Sequence, residues 1–515
     1  MLIVAALALA LTLAVAAAPP RRTSHVPVYR PAPPYHTYAQ FKSALLGLMN
    51  DRDNEGVLRM TVSKEKTPGG ERLYLMQLSN AYKDEVNAGT TREWAPPARA
   101  GWSLDREWIP AAATSSPSSS QSQQSRTDRP PRKLRALFTF GEHAREYITV
   151  ESALHLLTYL LEGSRVARTD CDTYASDLPD SVSAAARASD GVLLTTSEGY
   201  RARFSQFVLD HMELSLLPCT NPDGRMHVEQ SGDFCWRNLF PSGVDPNRNS
   251  GWEFGGPGST RERGEEYHGA HAWSEMETRF VRDVVSATEA EVFLSVHSGE
   301  QQLFVPFVDT ASKVHRRTRP QTALELALCD RVVSHKHMGG FLHSSGIGWE
   351  MNDYSADGTL FDYFAGLSLM HDPSNVQAQS QEVQRVFCVE MYGGDIHNDC
   401  FVQFNPDSKT TGEPRLDARG QPMIHPRTHQ PIMQSPLQTS LERTQVFFVR
   451  MLVELIADYT GLRYTDPSEM SDPVERGVAL RRHRDLCRVE QSLYRARQAT
   501  LKEKPTAASR VTVQT

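Results

Sequence analysis

The sequence predicts an α/β fold, a single large domain with a mixed, mostly parallel sheet flanked by helices. Three observations predict it: short apolar runs of the buried-strand type, helical apolar spacing between them, and chemically active residues directly after the strands. The chain has 515 residues, 39% of them hydrophobic and 23% charged, which is typical of a folded chain with a large core. A formal net charge of −7 excludes a chain-wide basic surface, so we expect no nucleic-acid partner.

The N-terminal part is predicted to hold a leader and the first elements of the domain. Residues 1–18 have no charged side chain and end in small residues, as in a secretory signal peptide, although an uncleaved anchor stays open. Residues 37–50 have helical apolar spacing, and Arg72–Leu78 has the composition of a strand. Residues 111–132 are rich in Ser, Gln and Pro and are predicted to be a disordered insertion.

From Lys133 onward, strands and helices are predicted to alternate. Helical spacing begins at Glu146 and recurs around Ser274–Ala287, while NPDG at 221–224 is a turn by composition. The predicted buried strands are LRALFTF (134–140), MELSLLPC (212–219), EVFLSVHS (291–298) and RVFCVEMYG (385–393). Alternation of this kind indicates a largely parallel sheet, in which chemistry collects at the carboxyl ends of the strands.

Cysteines and the C-terminal charge add two constraints. Seven cysteines leave at least one unpaired if the others form disulfides, and no CxxC pair offers a cysteine-built zinc site. From Val474 onward, 10 Lys or Arg stand against 4 Asp or Glu. We expect this tail, over 471–515, to form a solvated helix, with a polyanion- or membrane-binding arm as the alternative.

Directly after the predicted strand LRALFTF (134–140), the segment GEHARE places His143 and Glu146 in H-x-x-E spacing. An imidazole and a carboxylate three residues apart at a strand-to-helix turn can converge on one cation. This spacing is weak evidence by itself, because His297 and Glu300 repeat it. His297, however, leaves a hydrophobic strand for a polar loop, which suits a third metal ligand.

Other residues offer further parts of one reaction. Arg237, Asn247 and Arg248 are close in sequence and suit recognition of a carboxylate or an oxyanion, because a guanidinium is a planar fork of donors. Tyr354 precedes a Gly-containing turn, which favours a mobile phenol. Glu390 lies inside an apolar strand, where burial raises the pKa of a carboxyl toward that of a general base.

Six motifs follow one another along the chain: H-A-R-E (143–146), W-R-N (236–238), G-V-D-P-N-R-N (243–249), H-S (297–298), Y-S-A-D-G-T (354–359) and V-E (389–390). In identity and order they resemble the zinc metallocarboxypeptidases of the carboxypeptidase A and B type. The resemblance runs from about Tyr35 to about Tyr459, with insertions. It implies one Zn²⁺ per chain, bound by His143, Glu146 and His297, with a fourth position for water.

The resemblance also implies roles for the remaining residues. Glu390 would take a proton from water and return it to the leaving amine, and Arg237 would stabilise the oxyanion. Asn247, Arg248 and Tyr354 would grip the free C-terminal carboxylate of the substrate. The implied partners are therefore peptide or protein C-termini, and the implied enzyme is an exopeptidase.

The preference for the C-terminal side chain rests on alignment. Phe361 and Val308 fall where the family lines its pocket, which implies apolar or aromatic C-terminal residues. Asp309 is one position away, and in the pocket it would favour Lys or Arg. The interval from Tyr354 to Glu390 is longer than is usual in the family.

The resulting organisation is a signal peptide (1–18), a catalytic domain (35–460) with the insertion 111–132, and a basic tail (471–515). We expect no separate inhibitory pro-domain, no membrane span after signal removal, and a monomer. Secretion or a lytic compartment of the secretory pathway is the expected location.

Three alternatives remain at this point. The same fold could act as an amidase on non-standard amino-acid conjugates, or as a non-catalytic binding protein. A competing metal site could use His335, His337 and His343, or His268 and His271. We interpret these five as surface histidines, because neither set has a carboxylate partner at the end of a buried strand.

Overall fold

The computed structural model describes residues 35–80, 132–178, 182–370, 383–393, 399–407 and 436–503. The predicted signal peptide (1–18) lies outside the described residues. So do the low-complexity insertion (111–132), apart from Arg132, and most of the polar stretch that lengthens the interval before Glu390.

Eight strands form one sheet. In chain order they are β1 (Leu58–Val62), β2 (Tyr74–Leu78), β3 (Leu134–Phe140), β4 (Met212–Leu217), β5 (Val292–His297), β6 (Gln301–Val305), β7 (Ser344–Ile347) and β8 (Arg385–Met391). Their order across the sheet is β1-β2-β4-β3-β5-β8-β6-β7. The pairs β3–β4, β3–β5, β5–β8 and β6–β7 are parallel, and β1–β2, β2–β4 and β6–β8 are antiparallel. The predicted mixed, mostly parallel sheet is confirmed.

Helices connect the strands. In the described residues they are α1 (Tyr38–Asn50), α2 (Tyr147–Thr169), α3 (Cys171–Tyr174), α4 (Ala184–Ser189), α5 (Gly191–Thr196), α6 (Glu198–His211), α7 (Pro222–Ser231), α8 (Met276–Thr288), α9 (Thr310–His315), α10 (Thr322–Val333), α11 (Gly348–Met351), α12 (Leu360–Met370), α13 (Cys400–Phe404), α14 (Pro436–Thr460) and α15 (Pro473–Glu503). The predicted helices near 37–50, after Glu146 and around Ser274–Ala287 correspond to α1, α2 and α8. No helix among the described residues combines the length and the apolar character needed to cross a membrane.

Alternate residues of β3 face two apolar cores. Ala136 and Phe138 pack in a core with residues of α2 and α14, whereas Leu137 packs in a second core with residues of α8 and α12. Successive side chains of a strand point to opposite faces, so both faces of the sheet are covered here. This explains why Ala136, Leu137 and Phe138 follow one another as apolar residues in β3 instead of alternating with polar ones.

The NPDG segment begins a helix, so the prediction of a turn is wrong. Asn221 caps α7, and its side chain accepts a hydrogen bond from the backbone N–H of Gly224 at 2.9 Å. Pro222 takes the first helical position, where its missing N–H costs nothing. The composition is equally typical of a turn and of a capped helix start, and the residues that follow decided between them.

Two disulfides tie distant segments together. Cys171 in α3 pairs with Cys487 in α15, and Cys235 pairs with Cys400 at the start of α13. The other three cysteines, Cys219, Cys329 and Cys388, are buried and form no disulfide. The prediction that at least one cysteine stays unpaired is confirmed. Most of the basic tail is thus a helix covalently attached to the body of the protein.

A buried ion pair also fastens the segment after α14 to α6. Arg203 and Asp466 have side chains 0% exposed, with Nε–Oδ2 and Nη2–Oδ1 distances of 2.8 and 2.7 Å. The second terminal nitrogen of Arg203 donates to the carbonyl oxygens of Tyr174 and Ser176. Every face of this guanidinium is therefore compensated, as a buried charge requires.

Replacing Asp466 by Ala leaves the Arg203 charge buried without its partner. We expect Asp466→Ala to lower the free energy of unfolding by about 3–5 kcal/mol, measured by urea denaturation. Asp485→Ala, at a carboxylate that is 76% exposed on α15, serves as the control and should change it by less than about 0.5 kcal/mol. Similar losses in the two variants would contradict this assignment.

Candidate metal centre

Three buried side chains meet at the carboxyl edge of the sheet. His143 and Glu146 lie in the connection between β3 and α2, and His297 is the last residue of β5. Because β3 and β5 are parallel neighbours, their carboxyl ends lie side by side. The three side chains are at most 3% exposed.

The donor atoms of these residues converge on one point. His143 Nδ1 is 2.6 Å from Glu146 Oε1 and 3.1 Å from His297 Nδ1, and His297 Nδ1 is 3.3 Å from Glu146 Oε2. Ligands around a tetrahedral Zn²⁺ with bonds of about 2.1 Å are roughly 3.4 Å apart. The three residues therefore fit a zinc-sized cation and form a metal-binding cluster, the only group of its kind found among the described residues.

The connection that carries two of these ligands is held from several sides. Gly141 has a φ of +64°, and a Cβ there would come within 2.7 Å of the Val150 side chain. The backbone N–H of Ala144 donates to the carbonyl oxygen of Arg237 at 2.8 Å. Glu146 Oε2 accepts from the backbone N–H of Ser298 at 3.1 Å, which joins the two ligand-bearing segments directly.

In each imidazole the Nε2 atom, the nitrogen away from the other metal ligands, lies near a carboxylate that the sequence motifs did not predict. Asp245 Oδ1 is 3.3 Å from His143 Nε2, and Glu142 Oε2 is 3.4 Å from His297 Nε2. The sequence offered two signals for these carboxylates: Asp245 lies inside the motif G-V-D-P-N-R-N, and Glu142 directly precedes His143. Neither signal says which imidazole each carboxylate reaches, because that depends on long-range packing.

The buried carboxylates around His143 and His297 favour a positive charge at the position between the three donor atoms. Burial by itself lowers the pKa of His297, but the carboxylates of Glu142 and Glu146 raise it well above its usual range. Burial opposes ionisation of Asp245, yet the charges of Arg237 and His143 hold its pKa well below the ordinary value. Such a cluster stabilises either protonated imidazole or a bound cation.

Glu390 lies on the neighbouring strand at the same level. In the parallel pair β5–β8 its register partner is His297. Its Oε2 atom is buried and has no hydrogen-bond partner among the described residues. Burial, followed by the negative charge of Glu146, raises the pKa of Glu390 to about 8. Glu390 thus lies in a strand, and its role as a general base stays a prediction.

The residues predicted to recognise a carboxylate or an oxyanion gather at the same edge. Asp245 Oδ2 accepts from Arg237 Nε at 3.0 Å, and the backbone N–H of Asn247 donates to Asp245 Oδ1 at 2.8 Å. Arg248 is buried, and it donates to the carbonyl oxygens of Asn247 and Gly258. The structure thus brings these residues together around one aspartate.

Tyr354 and the predicted pocket residues differ in exposure. Tyr354 is 57% exposed, yet it is close enough to Glu390 and Arg237 to interact with their charges. Phe361 and Val308 are buried in one apolar cluster.

The carboxylate of Asp309 is fully engaged. It caps α9 by accepting from the backbone N–H and the hydroxyl of Ser312, and it also accepts from Trp252 Nε1 at 3.0 Å.

Two of the five competing histidines are not on the surface, so that interpretation is wrong for them. His337 is buried, and its Nδ1 lies 2.7 Å from Arg450 Nη2. His268 is buried, with its Nδ1 2.7 Å from the carbonyl oxygen of Gly269. Among the described residues neither set forms a metal-binding cluster.

Residues 196–397 match the sequence model of the family described as zinc carboxypeptidase, Peptidase M14. The matched stretch includes His297, Glu390 and Arg237. His143 and Glu146 precede it, and the pairing of β3 with β5 brings them to the same site.

Curated relatives are similar over a limited part of their length. The chain is 37% identical to carboxypeptidase A2 of Mus musculus over 109 residues, 19% of this chain and 26% of that protein. It is 35% identical to carboxypeptidase A1 of Homo sapiens over 123 residues, 22% of this chain and 29% of that protein. The chain therefore matches between a quarter and a third of the length of these relatives.

Solved structures are similar at low identity. Thrombin activatable fibrinolysis inhibitor has 15% identity and a TM-score of 0.48, over 82% of this chain and 75% of that chain. Carboxypeptidase A from Helicoverpa armigera has 15% identity and a TM-score of 0.45, over 72% of this chain and 68% of that chain. Over residues 196–397 the chain thus matches the zinc carboxypeptidase family, and the metal-binding cluster of His143, Glu146 and His297 lies at the sheet edge of the same site.

Proposed function

We propose that this protein is a zinc-dependent carboxypeptidase that hydrolyses the C-terminal peptide bond of peptides or proteins. The observation that carries this proposal is the combination at one sheet edge of a buried His–Glu–His cluster and a buried, unpartnered carboxylate oxygen on the next strand. Metal-assisted hydrolysis requires a cation that activates water and a nearby group that accepts the proton of that water.

One Zn²⁺ per chain would be held by His143, Glu146 and His297. When bound, the ion polarises the scissile carbonyl and lowers the pKa of water. The negative charge of Glu146 offsets part of the charge of the ion, and the neutral imidazoles supply the other two donors. The separations between the donor atoms support this ligand set.

Glu390 is the proposed general base and acid. Its free Oε2 atom is available to accept a proton from the attacking water, because no neighbouring donor among the described residues occupies it. A raised pKa makes the resulting carboxylic acid stable enough to pass its proton to the leaving amine. Both proton transfers thus use one side chain.

Arg237 is the proposed oxyanion-stabilising group. Its Nε atom donates to Asp245, which orients the guanidinium, and among the described residues its terminal nitrogens have no hydrogen-bond acceptor. These nitrogens are available for the negative oxygen of the tetrahedral intermediate. An interaction of this kind contributes about 3–4 kcal/mol to the transition state.

Asn247, Arg248 and Tyr354 are the proposed site for the C-terminal carboxylate. The carbonyl oxygens of Asn247 and Gly258 hold the guanidinium of Arg248 in one orientation, so little entropy is lost when it pairs with a carboxylate. The exposed phenol of Tyr354 has room to move toward a bound substrate. Only a chain end offers this carboxylate, which makes the proposed enzyme an exopeptidase.

An apolar or aromatic C-terminal residue is the proposed preference. Phe361 and Val308 lie in an apolar cluster, and the Asp309 carboxylate is already bound by Ser312 and Trp252. Freeing this buried carboxylate for a substrate Lys or Arg would break the cap of α9. The contacts of Asp309 therefore support an apolar pocket.

Secretion is the proposed destination, and we keep the proposed organisation of signal peptide (1–18), catalytic domain (35–460) and tail (471–515). The two disulfides, Cys171–Cys487 and Cys235–Cys400, support it, because disulfides form and persist in oxidising compartments.

Loss of a metal ligand tests the site. We expect His143→Ala to reduce bound zinc from about one ion per chain to almost none after dialysis, because two protein ligands hold zinc poorly. His335→Ala, at a half-buried histidine outside the cluster, should retain zinc. Zinc is measured by elemental analysis of folded protein, and equal zinc in the two variants would rule out the proposed ligand set.

Removing the proposed base tests the chemistry. Glu390→Gln keeps the shape of the side chain but cannot accept the proton, so we expect kcat to fall about 10²–10⁴-fold with the zinc content unchanged. Glu65→Gln, at a carboxylate that is 67% exposed, is the control and should leave kcat unchanged. If Glu390→Gln hydrolyses peptides at the wild-type rate, the mechanism is wrong.

Two matched peptides test the pocket. Release of a C-terminal Phe should exceed release of a C-terminal Lys by at least about tenfold in kcat/KM, because Phe361 and Val308 are apolar and the Asp309 carboxylate is already bound by Ser312 and Trp252. The measurement is mass-spectrometric detection of the released amino acid from peptides that differ only in the last residue. Faster release of Lys would contradict the apolar pocket.

A further inference from the structure

Glu142 is a buried carboxylate directly before the proposed metal ligand His143, but its hydrogen bonds go to Thr139 and Ser295. The residue is 1% exposed and follows β3 directly. Its Oε1 atom accepts hydrogen bonds from Thr139 Oγ1 at 2.7 Å and from Ser295 Oγ at 2.6 Å. Ser295 belongs to β5, two residues before His297, so the carboxylate reaches across to the other histidine strand.

These contacts form a hydrogen-bonded chain that ends on His297. The Ser295 hydroxyl lies 2.8 Å from His297 Nε2. A hydroxyl has one proton, and Ser295 donates it to Glu142, so the same oxygen accepts from the Nε2–H of the imidazole. Glu142 Oε2 lies 3.4 Å from the same Nε2 atom, close enough for charge attraction but without a hydrogen-bond partner among the described residues.

The shorter contact at Nε2 sets the tautomer: Ser295 Oγ lies at 2.8 Å, whereas the amide nitrogen of Asn247 lies at 3.4 Å. With its proton on Nε2, His297 has its lone pair on Nδ1, and Nδ1 is the atom that faces His143 Nδ1 and Glu146 Oε2. The opposite tautomer would carry its proton on Nδ1 and direct it at the other metal ligands. Its unprotonated Nε2 could then donate no hydrogen bond to Ser295 Oγ. Burial makes the difference costly, since no water is at hand to replace the lost hydrogen bond.

We propose that Glu142, acting through Ser295, is a positioning residue that holds His297 in the tautomer and orientation required for binding the metal. The inference rests on the proposed function, because it assigns His297 to a zinc site. Groups behind a ligand histidine set its ring orientation and increase its basicity, and their loss typically weakens metal binding 10–100-fold.

The contacts of Glu142 supply a matched pair of tests. Glu142→Gln keeps the volume of the side chain but removes its negative charge and replaces one carboxylate oxygen with an amide nitrogen that can only donate. Thr139→Val removes the other hydrogen bond to the same carboxylate and leaves the Ser295–His297 link intact. A purely structural role for Glu142 predicts similar effects in the two variants.

The experiment measures the dissociation constant of Zn²⁺ by chelator competition on the full chain, without substrate. We expect Glu142→Gln to weaken Zn²⁺ binding about 10–100-fold and Thr139→Val to weaken it less than about threefold. In the zinc-loaded wild type, ¹⁵N NMR of the imidazoles should show His297 protonated at Nε2. At a pH above the pKa of His297 in the metal-free protein, Glu142→Gln should show a mixture of tautomers, whereas the wild type and Thr139→Val should carry the proton on Nε2.

The outcomes separate this inference from the proposed function. If the wild type binds Zn²⁺ and hydrolyses peptides while Glu142→Gln retains full affinity and a single tautomer, the positioning role is wrong and the enzyme assignment stands. Equal weakening by Glu142→Gln and Thr139→Val would also overturn the inference, because it would indicate a structural role. If the wild type itself fails to bind Zn²⁺, the proposed function fails first.

Discussion

The parallel pairing of β3, β5 and β8 is the constraint on which the rest of the site depends. Parallel neighbours end at the same edge of a sheet, so the residues that leave β3, the last residue of β5 and a carboxylate of β8 face one volume. The register that pairs His297 with Glu390 places a proposed metal ligand beside a proposed base. A slip of one residue would turn Glu390 to the opposite face of the sheet.

Charge compensation is the second constraint, and it follows from burial. Glu142, Glu146 and Asp245 are all buried near the two imidazoles, where uncompensated carboxylates would be costly. Arg237 compensates Asp245, and the histidines or a bound cation compensate the others. Without a cation, the buried negative charges of the cluster destabilise the folded protein, and a bound cation removes this cost. The stability of the folded protein and metal binding are therefore coupled.

Much of the fold could be predicted because the signals for strands and helices are local, and the ligand set could be predicted from the order of six motifs along the chain. Strand β3 coincides with the apolar run LRALFTF, and H-x-x-E places two ligands at a strand-to-helix turn. Local signals failed where the same composition serves two structures, as in NPDG, which begins α7. They also failed for His337, which is buried and contacts Arg450 of α14, 113 residues further along the chain.

By itself, the sequence determined the class of fold, because periodicity is a property of short segments, and it indicated the metal ligands through the resemblance of six ordered motifs to the zinc metallocarboxypeptidases. Only the tertiary structure decided which cysteines pair, which imidazole each carboxylate supports, and that Asp309 is occupied by Ser312 and Trp252. Each of these depends on contacts between segments far apart in the chain. Such contacts are set by strand register and helix packing, which short-range patterns do not encode.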